Sequence, residues 1–525
     1  MKQHETQDTN EAPKATIAQG NLTRRSFGRM AAGAGLAETT SGIRPNLLFV
    51  FSDQQSSDML GSYHNDRIVT PNLDRFARQA VRFEHCISNS PLCTPYRGLL
   101  LSGMHPLRSG ALENDVRMLP GGGNYFGEVL RDAGYCMGYV GKWHLYGGDR
   151  VRPIPPGSDR YGFDHTFLSN NCTLVYDSQR AYYWDEEGRR RMYGDWEPYA
   201  QTRQAMRFID ENADKPFALF LSWHPPHNWF PVNPPAKGPE DGYGAPADLL
   251  RMYDPAAIRL RGNCADTLSS RLVYRGHMAM CTSLDRAFGW LMDKLRERSL
   301  ERDTIVVYTS DHGDTLLSHG FRHNKMRPEV ESIRVPLLIR FPRMLDPRTS
   351  ELLVGTLDLM PTLLAMMGLR VPPECQGRNL MEAMAGRRDN EVKSVPLFLL
   401  PLDWRGVYTR RYTYAFDTSQ GGLSYYRQWF FQEPPGISWN CLFDHQEDSW
   451  EMNNLFQSPE HRTTRDRLHE QTLEWMRRFD DRGWPYDTIA RAVFRPEDLD
   501  HVRNRRLSKA SGLLTGRPID RLSTK

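Results

Sequence analysis

Leu47–Gln54, LLFVFSDQ, is an almost wholly apolar run closed by an acid and an amide. A stretch this short, with no polar alternation, reads as a strand buried on both faces. Thr304–Ser310, TIVVYTS, repeats the pattern and is followed by Asp311 and His312. Open α/β sheets carry their sites beyond the carboxyl ends of their strands. The two pairs are far apart in the chain, so adjacent strands would have to bring them together. Two carboxylates, an amide oxygen and an imidazole suit a divalent cation. The oxygens favour calcium or magnesium, and the imidazole leaves manganese or zinc open. Either pair alone would pass for a turn or a helix cap; the repeat, in this order, points to a metal.

Between the two runs lies Asn89–Gly103, NSPLCTPYRGLLLSG, in which Cys93, Pro95 and Arg97 spell C-x-P-x-R. Thr94 reads as an N-cap, Pro95 as the first helical residue, and Leu99–Leu101 as the buried side. Cys93 then sits at a helix N-terminus, where free N–H groups and the dipole favour an anion. In isolation the motif would be a small buried thiol before an ordinary helix. Further on, Asn124–Gly134 reads as a helix and Tyr135–His144 as a strand. Lys142 and His144, two apart, would share one side of that strand. Phe217–Trp223 is another apolar strand, running into HPPHN with His224 and His227. Leu272–Leu300 carries an apolar stripe through Met278, Leu284, Phe288, Leu291 and Leu295, assigned to the core. Asp358–Gly368 is a helix. Arg150–Glu197 is loop-like and is the candidate wall for a substrate. Gly406–Phe416 alternates as an antiparallel strand, Asn440–Asp444 reads as another, and Glu460–Phe479 as a helix. The expected fold is α/β: a large mixed, mostly parallel sheet flanked by helices, with a smaller C-terminal antiparallel sheet plus helix.

RPNLLFVFSDQQ, TPNLDRFARQAVRFEHC, CTPYRGLLLSG, GKWHL, PPHN, SDHGD and VPLLIRFP occur in this order from about Arg44 to Phe341. The set resembles the type I sulfatases of the alkaline-phosphatase-like superfamily. Tyr96 stands where that family often has serine, and Gln54 where many members have aspartate. The resemblance implies oxidation of Cys93 to formylglycine by a separate formylglycine-generating enzyme. It implies a metal, Ca2+ with Mg2+ or Mn2+ as alternatives, on Asp53, Gln54, Asp311, His312 and the modified Cys93. It implies catalytic roles for Cys93, Arg97, Lys142, His144, His227 and Lys325, with His227 preferred to His224. The implied activity is hydrolysis of an organic sulfate monoester. Trp143, Tyr182, Tyr183, Trp184 and Trp229 are candidate stacking surfaces for a sugar, so a sulfated carbohydrate is the expected substrate. A phosphonate monoester or phosphodiester hydrolase of the same superfamily is the alternative enzyme. A catalytically silent binder of sulfated ligands is the alternative without chemistry.

The 525 residues carry a formal net charge of +3, which gives no reason to expect a nucleic-acid or membrane partner. Eight cysteines show no C-x-x-C pair or zinc spacing, leaving room for one or two disulfides. No apolar run approaches a membrane span. The expected organisation is an unstructured segment 1–43, a catalytic unit 44–394, a second unit 395–501 and a basic tail 502–525, with oligomerisation left open. TRRSFGRMAAGAGLA, Thr23–Ala37, resembles a twin-arginine export signal. It implies a periplasmic or exported protein; a chance arginine pair would leave it cytoplasmic.

Overall fold

Every residue of β1, Asn46–Asp53, is buried, and its side chains alternate between two apolar layers. Leu47, Phe49 and Phe51 enter one, with Tyr96, Leu100 and Leu363. Leu48 and Val50 enter the other, with Phe208, Leu284 and Phe288. A strand covered on both faces sends successive side chains to opposite layers. The computed structural model describes residues 44–148, 150–228, 243–320, 325–387, 392–420 and 438–494.

The strands that join β1 are β2 Val81–Ile87, β3 Cys136–Lys142, β4 Thr166–Asn170, β5 Tyr182–Trp184, β6 Arg190–Met192, β7 Phe217–Pro226, β8 Thr304–Ser310, β9 Arg334–Val335, β10 Leu337–Arg340 and β11 Arg348–Gly355. They run in the order β11-β2-β10-β8-β1-β7-β3-β4-β5-β6, with β9 on β2. The five central strands, β8 to β4, are parallel. Helices α1 (Cys93–Ser102), α2 (Glu197–Glu211), α3 (Leu268–Glu297) and α4 (Thr356–Met366) flank the sheet. α1 and α4 supply one apolar layer, α2 and α3 the other. This is the expected large α/β sheet.

The second sheet is antiparallel in chain order: β12 Val395–Leu399, β13 Trp404–Tyr408, β14 Tyr412–Asp417 and β15 Cys441–Asp444. Helix α5, Arg462–Arg478, covers one face by packing Leu468 and Trp475 near Val407, Tyr414 and Leu442. Leu397, Leu399 and Trp404 pack instead with Leu92, Met326 and Ile333. The small sheet therefore buttresses the neighbours of Cys93 and Lys325.

Several local expectations shift. Gly406–Phe416 is a hairpin, β13 and β14, because Thr409 and Tyr412 close a turn inside it. Arg150–Glu197 contributes β4, β5 and β6 to the sheet edge. All eight cysteines are free thiols. Trp143 is fully buried against Tyr139, 4.7 Å between ring centroids, so it is core and not a sugar platform. The Thr23–Ala37 segment, Trp229, Phe230, most of Pro231–Gly244 and the tail from Val502 lie outside the described residues.

Candidate active site

Parallel pairing sets the site. In the β1–β8 register Ser52 faces Ser310, so the residues that follow, Asp53 and Asp311, leave neighbouring strand ends about 5 Å apart. Gln54 takes a left-handed turn, φ 71°, and its backbone N–H donates to Asp311 Oδ1 at 3.0 Å. One ligand atom each from Asp53, Cys93, Asp311 and His312 lies within 4.8 Å of the others, all buried. The Cys93 sulfur is 3.3 Å from His312 Nε2, 3.8 Å from Asp53 Oδ1 and 3.4 Å from Lys325 Nζ.

α1 begins at Cys93 itself, two residues earlier than expected. Thr94 does not cap it; Thr94 Oγ1 donates to the His144 carbonyl at 2.7 Å, and Asn114 Oδ1 accepts from the Thr94 N–H. Tertiary partners have replaced the local cap. β3 likewise ends at Lys142, and His144 has φ 57°. The pair reaches the site by a turn, not by sharing a strand face. Gly141, φ 108°, makes that approach feasible: a Cβ there would lie 2.0 Å from the Ser222 carbonyl oxygen of β7.

Lys142 Nζ donates to Asp53 Oδ2. Arg97 ties four strands together, donating to the Lys142 carbonyl at 2.7 Å, Ser222 Oγ at 2.8 Å, and Asp53 and Asp311 Oδ2 at 3.4 Å each. Burial pushes the Asp53 carboxyl up, but Lys142, His227, Lys325 and His312 outweigh it and hold it well below the usual range. Asp311 goes the other way, to about 6, through burial and the nearby Asp53 charge. Burial and Asp53 also oppose ionisation of Cys93; Lys142, Lys325 and His312 override them and lower the thiol. His227 is held well below its usual range by burial and by Lys325. Its Nδ1 contacts the Asn228 carbonyl at 2.7 Å, which leaves Nε2 to accept from Lys325 Nζ at 2.9 Å.

A divalent cation fits these residues. Gln54 Oε1 is buried without a hydrogen-bond partner, while Gln54 Nε2 donates to Asp314 Oδ2 at 2.8 Å. The amide is thus fixed with its oxygen free for a ligand role. His312 Nδ1 contacts the Gly313 carbonyl at 3.0 Å, so Nε2 is the nitrogen left for the centre.

The structure brings together Asp53, Gln54, Cys93, Arg97, Lys142, Asp311, His312, His227 and Lys325, and sets His144 beside them. His224 is engaged elsewhere, 2.7 Å from Glu197 Oε1 and fully buried. Three residues that sequence reading did not single out also belong here. Asp115 Oδ1 lies 2.9 Å from His144 Nε2, and Asp115 accepts two bonds of 2.8 Å from Arg150. Cys172 and Cys93 also favour the charged form of His144. Burial pushes His144 down, yet the Cys172 sulfur and Asp115 raise it to about 10. Nothing in the local pattern marks Asp115: it stands alone in a loop at φ 66°, a conformation Asp tolerates.

The chain is similar to known proteins over most of its length. The Sulfatase family model matches residues 45–369, and the model for the N-sulphoglucosamine sulphohydrolase C-terminal region matches residues 318–478. An ulvan-active sulfatase of Formosa agariphila is 30% identical over 440 residues, covering 81% of this chain and 80% of that one. An endo-4-O-sulfatase of Bacteroides thetaiotaomicron is 28% identical over 466 residues, 78% of this chain and 88% of that one. A solved structure, titled for metabolism of multiple glycosaminoglycans by Bacteroides thetaiotaomicron, superposes with TM-score 0.72 at 26% identity. It covers 85% of this chain and 98% of its own. The chain belongs to the type I sulfatase family of the alkaline-phosphatase-like superfamily, and its class of reaction is hydrolysis of sulfate esters.

Proposed function

We propose that this sulfatase removes sulfate from a sulfated carbohydrate, using a formylglycine made from Cys93 and a divalent cation, calcium first. Asp53, Gln54, Asp311, His312 and the modified position 93 would hold the ion. The observation that carries the reading is the Cys93 sulfur: buried in the first turn of α1, with His312, Lys325 and Asp53 atoms at 3.3, 3.4 and 3.8 Å. When bound, the cation supplies positive charge and polarises sulfate oxygens. A hydrated aldehyde supplies two hydroxyls on one carbon, one to take the sulfuryl group and one to expel it.

The chain's own residues do the rest. Lys142 and Arg97 occupy Asp53 Oδ2 and leave Oδ1 facing His312 and Cys93. The start of α1 adds the positive end of a helix. Lys325 holds donors toward position 93 and keeps a proton available for the leaving oxygen; neutral His227, accepting through Nε2, orients that ammonium. His144, backed by Asp115, is the proton carrier beside position 93. Carbohydrate is favoured because one relative is named for ulvan and one solved structure for glycosaminoglycans, both carbohydrate polymers. Tyr183, packed on Tyr193, and Trp184 are half-buried on β5 and would offer ring surface to a sugar. A formylglycine-generating enzyme is the maturation partner, and Thr23–Ala37 directs twin-arginine export. Among the described residues, no helix is long and apolar enough to cross a membrane.

Sulfate and phosphate release from paired aryl esters, followed by desulfation of sulfated mono- and oligosaccharides, tests the reading. Faster phosphoryl than sulfuryl turnover would transfer the protein to the phosphonate hydrolase reading. Cys93→Ser separates the nucleophile from the fold. Serine has one hydroxyl and cannot expel the bound sulfate, so at most one slow turnover is expected. The peptide Phe83–Arg97 then gains the mass of a sulfate. Repeated turnover by Cys93→Ser at the wild-type rate would refute the mechanism.

A further inference from the structure

We propose that the chain with Cys93 still a cysteine is a zinc-binding form, and that conversion of Cys93 exchanges this zinc site for an oxygen-lined one. The zinc half stands on the four side chains alone; the exchange half rests on the formylglycine reading. Zinc bonds of about 2.0 Å to nitrogen and oxygen and 2.3 Å to sulfur, at tetrahedral angles, separate the ligand atoms by roughly 3.3 to 3.6 Å. Cys93 Sγ and His312 Nε2 are 3.3 Å apart, and Sγ and Asp53 Oδ1 are 3.8 Å apart. His312 Nε2 lies 3.7 Å from Asp53 Oδ1 and 3.5 Å from Asp311 Oδ1. Two of these four edges, 3.3 and 3.5 Å, already have the length that a tetrahedral ion requires, and the other two, 3.7 and 3.8 Å, are slightly longer, before any ion is added.

Donor chemistry agrees. One thiolate, one imidazole and two carboxylates make a borderline-soft set that suits zinc, whereas calcium takes six to eight oxygens. The second atoms of two of these groups are already committed, while Asp311 Oδ1 is oriented by the Gln54 and His312 N–H groups that donate to it. Asp53 Oδ2 is held by Lys142 and Arg97, and His312 Nδ1 by the Gly313 carbonyl. The side chains are therefore held in place with ligand atoms converging, the arrangement that hydrogen bonds to a metal's ligands create. On coordination the Cys93 S–H bond breaks, sulfur keeps the electron pair for zinc, and the proton leaves to solvent. Conversion removes the one sulfur among these four ligands. The site then consists of oxygens and one nitrogen, and Gln54 Oε1, buried and unpartnered, becomes a further hard ligand.

The full-length chain is prepared with Cys93 unconverted, with Cys93 converted, and as Cys93→Ala, each stripped of metal. Zinc and calcium are titrated separately by calorimetry, and cobalt(II) is used as a spectroscopic probe. The unconverted chain is expected to bind zinc more tightly than either other form. Loss of outer-shell partners alone weakens metal sites about 10- to 100-fold, so loss of a direct ligand should cost on the order of 100-fold or more. Its cobalt complex should show a thiolate-to-metal charge-transfer band in the near ultraviolet that both other forms lack. Should Cys93→Ala misfold, the converted chain remains the comparison. Equal zinc affinity in unconverted and converted chains, or a cobalt complex of the unconverted chain without the band, overturns the proposal. Sulfate release by the converted chain is measured separately: its absence would count against the sulfatase mechanism and leave the zinc titrations of the unconverted chain intact.

Discussion

Asp115 accepts from Arg150 on one side and meets His144 on the other, so it fixes which way that ring faces. It touches none of the reacting atoms and acts as a positioning residue. Asp115→Asn should therefore lower kcat by about 100-fold, the smaller end of what a well-placed acid or base contributes, with KM nearly unchanged. Steady-state kinetics on an aryl sulfate decides this; a rise in KM at constant kcat would mean that Asp115 shapes binding instead. The carboxylates at the strand ends carry a different load. Asp53→Ala or Asp311→Ala leaves the remaining ligand atoms without the charge a divalent ion needs. Both variants should lose bound metal, measured by elemental analysis, together with at least about 100-fold in turnover. Unchanged metal content in both would remove them from the ligand set.

β3 shows how an element, not a residue, builds the site. The chain turns sharply where β3 ends, so that Lys142 reaches Asp53 and His144, two residues on, reaches Asp115. The turn depends on Gly141 at φ 108°, with the Ser222 carbonyl oxygen 2.0 Å from any added Cβ. Gly141→Ala should destabilise the protein by about 3 kcal/mol or more, because it meets both an unfavourable φ and a backbone clash. Thermal denaturation measures this, and a Tm within a degree of wild type would contradict the account. The same element shows why local sequence misled at two points. Tyr135–His144 reads as one strand because its composition is strand-like. Thr94 reads as a cap because threonine is favoured at the residue before a helix. Contacts with Asn171, Asn114 and His144 override both preferences.

At the scale of the whole molecule, the second sheet is fastened to the first partly through Glu451. This buried residue accepts from the Val330 N–H at 2.9 Å and lies 3.1 Å from His445 Nε2. Burial, with Glu331 and Glu329 nearby, raises its carboxyl from 4.5 to about 7, despite the opposing pull of His445. Its folded value is thus above its unfolded one. The stability linked to its bound proton is fully present below pH 4.5 and is lost as pH rises through about 7. Glu451→Gln removes this ionisation. Wild type should accordingly lose stability relative to Glu451→Gln between pH 4.5 and 7.5, read as the difference in Tm at the two ends. A difference that stays constant across the range would dismiss Glu451 as the titrating group.

Read alone, the chain determined the two apolar strands with their acidic ends, the C-x-P-x-R helix, the α/β class and the presence of a small antiparallel sheet. Hydrophobic periodicity and strand-end acids are local, and burial acts on them directly. Tertiary structure decided what local pattern does not encode. The parallel register of β1 and β8 sets Asp53 beside Asp311, although more than two hundred residues separate them in the chain. Arg97, expected to serve position 93, also clamps both carboxylates and two further strands. Trp143 is core because β3 lies inside the sheet, with strands on both sides. Asp115 belongs to the site only because a loop folds it under His144. A hydrogen bond between residues far apart in sequence exists only after the backbone has closed the distance, and that closure is a property of the packed sheet.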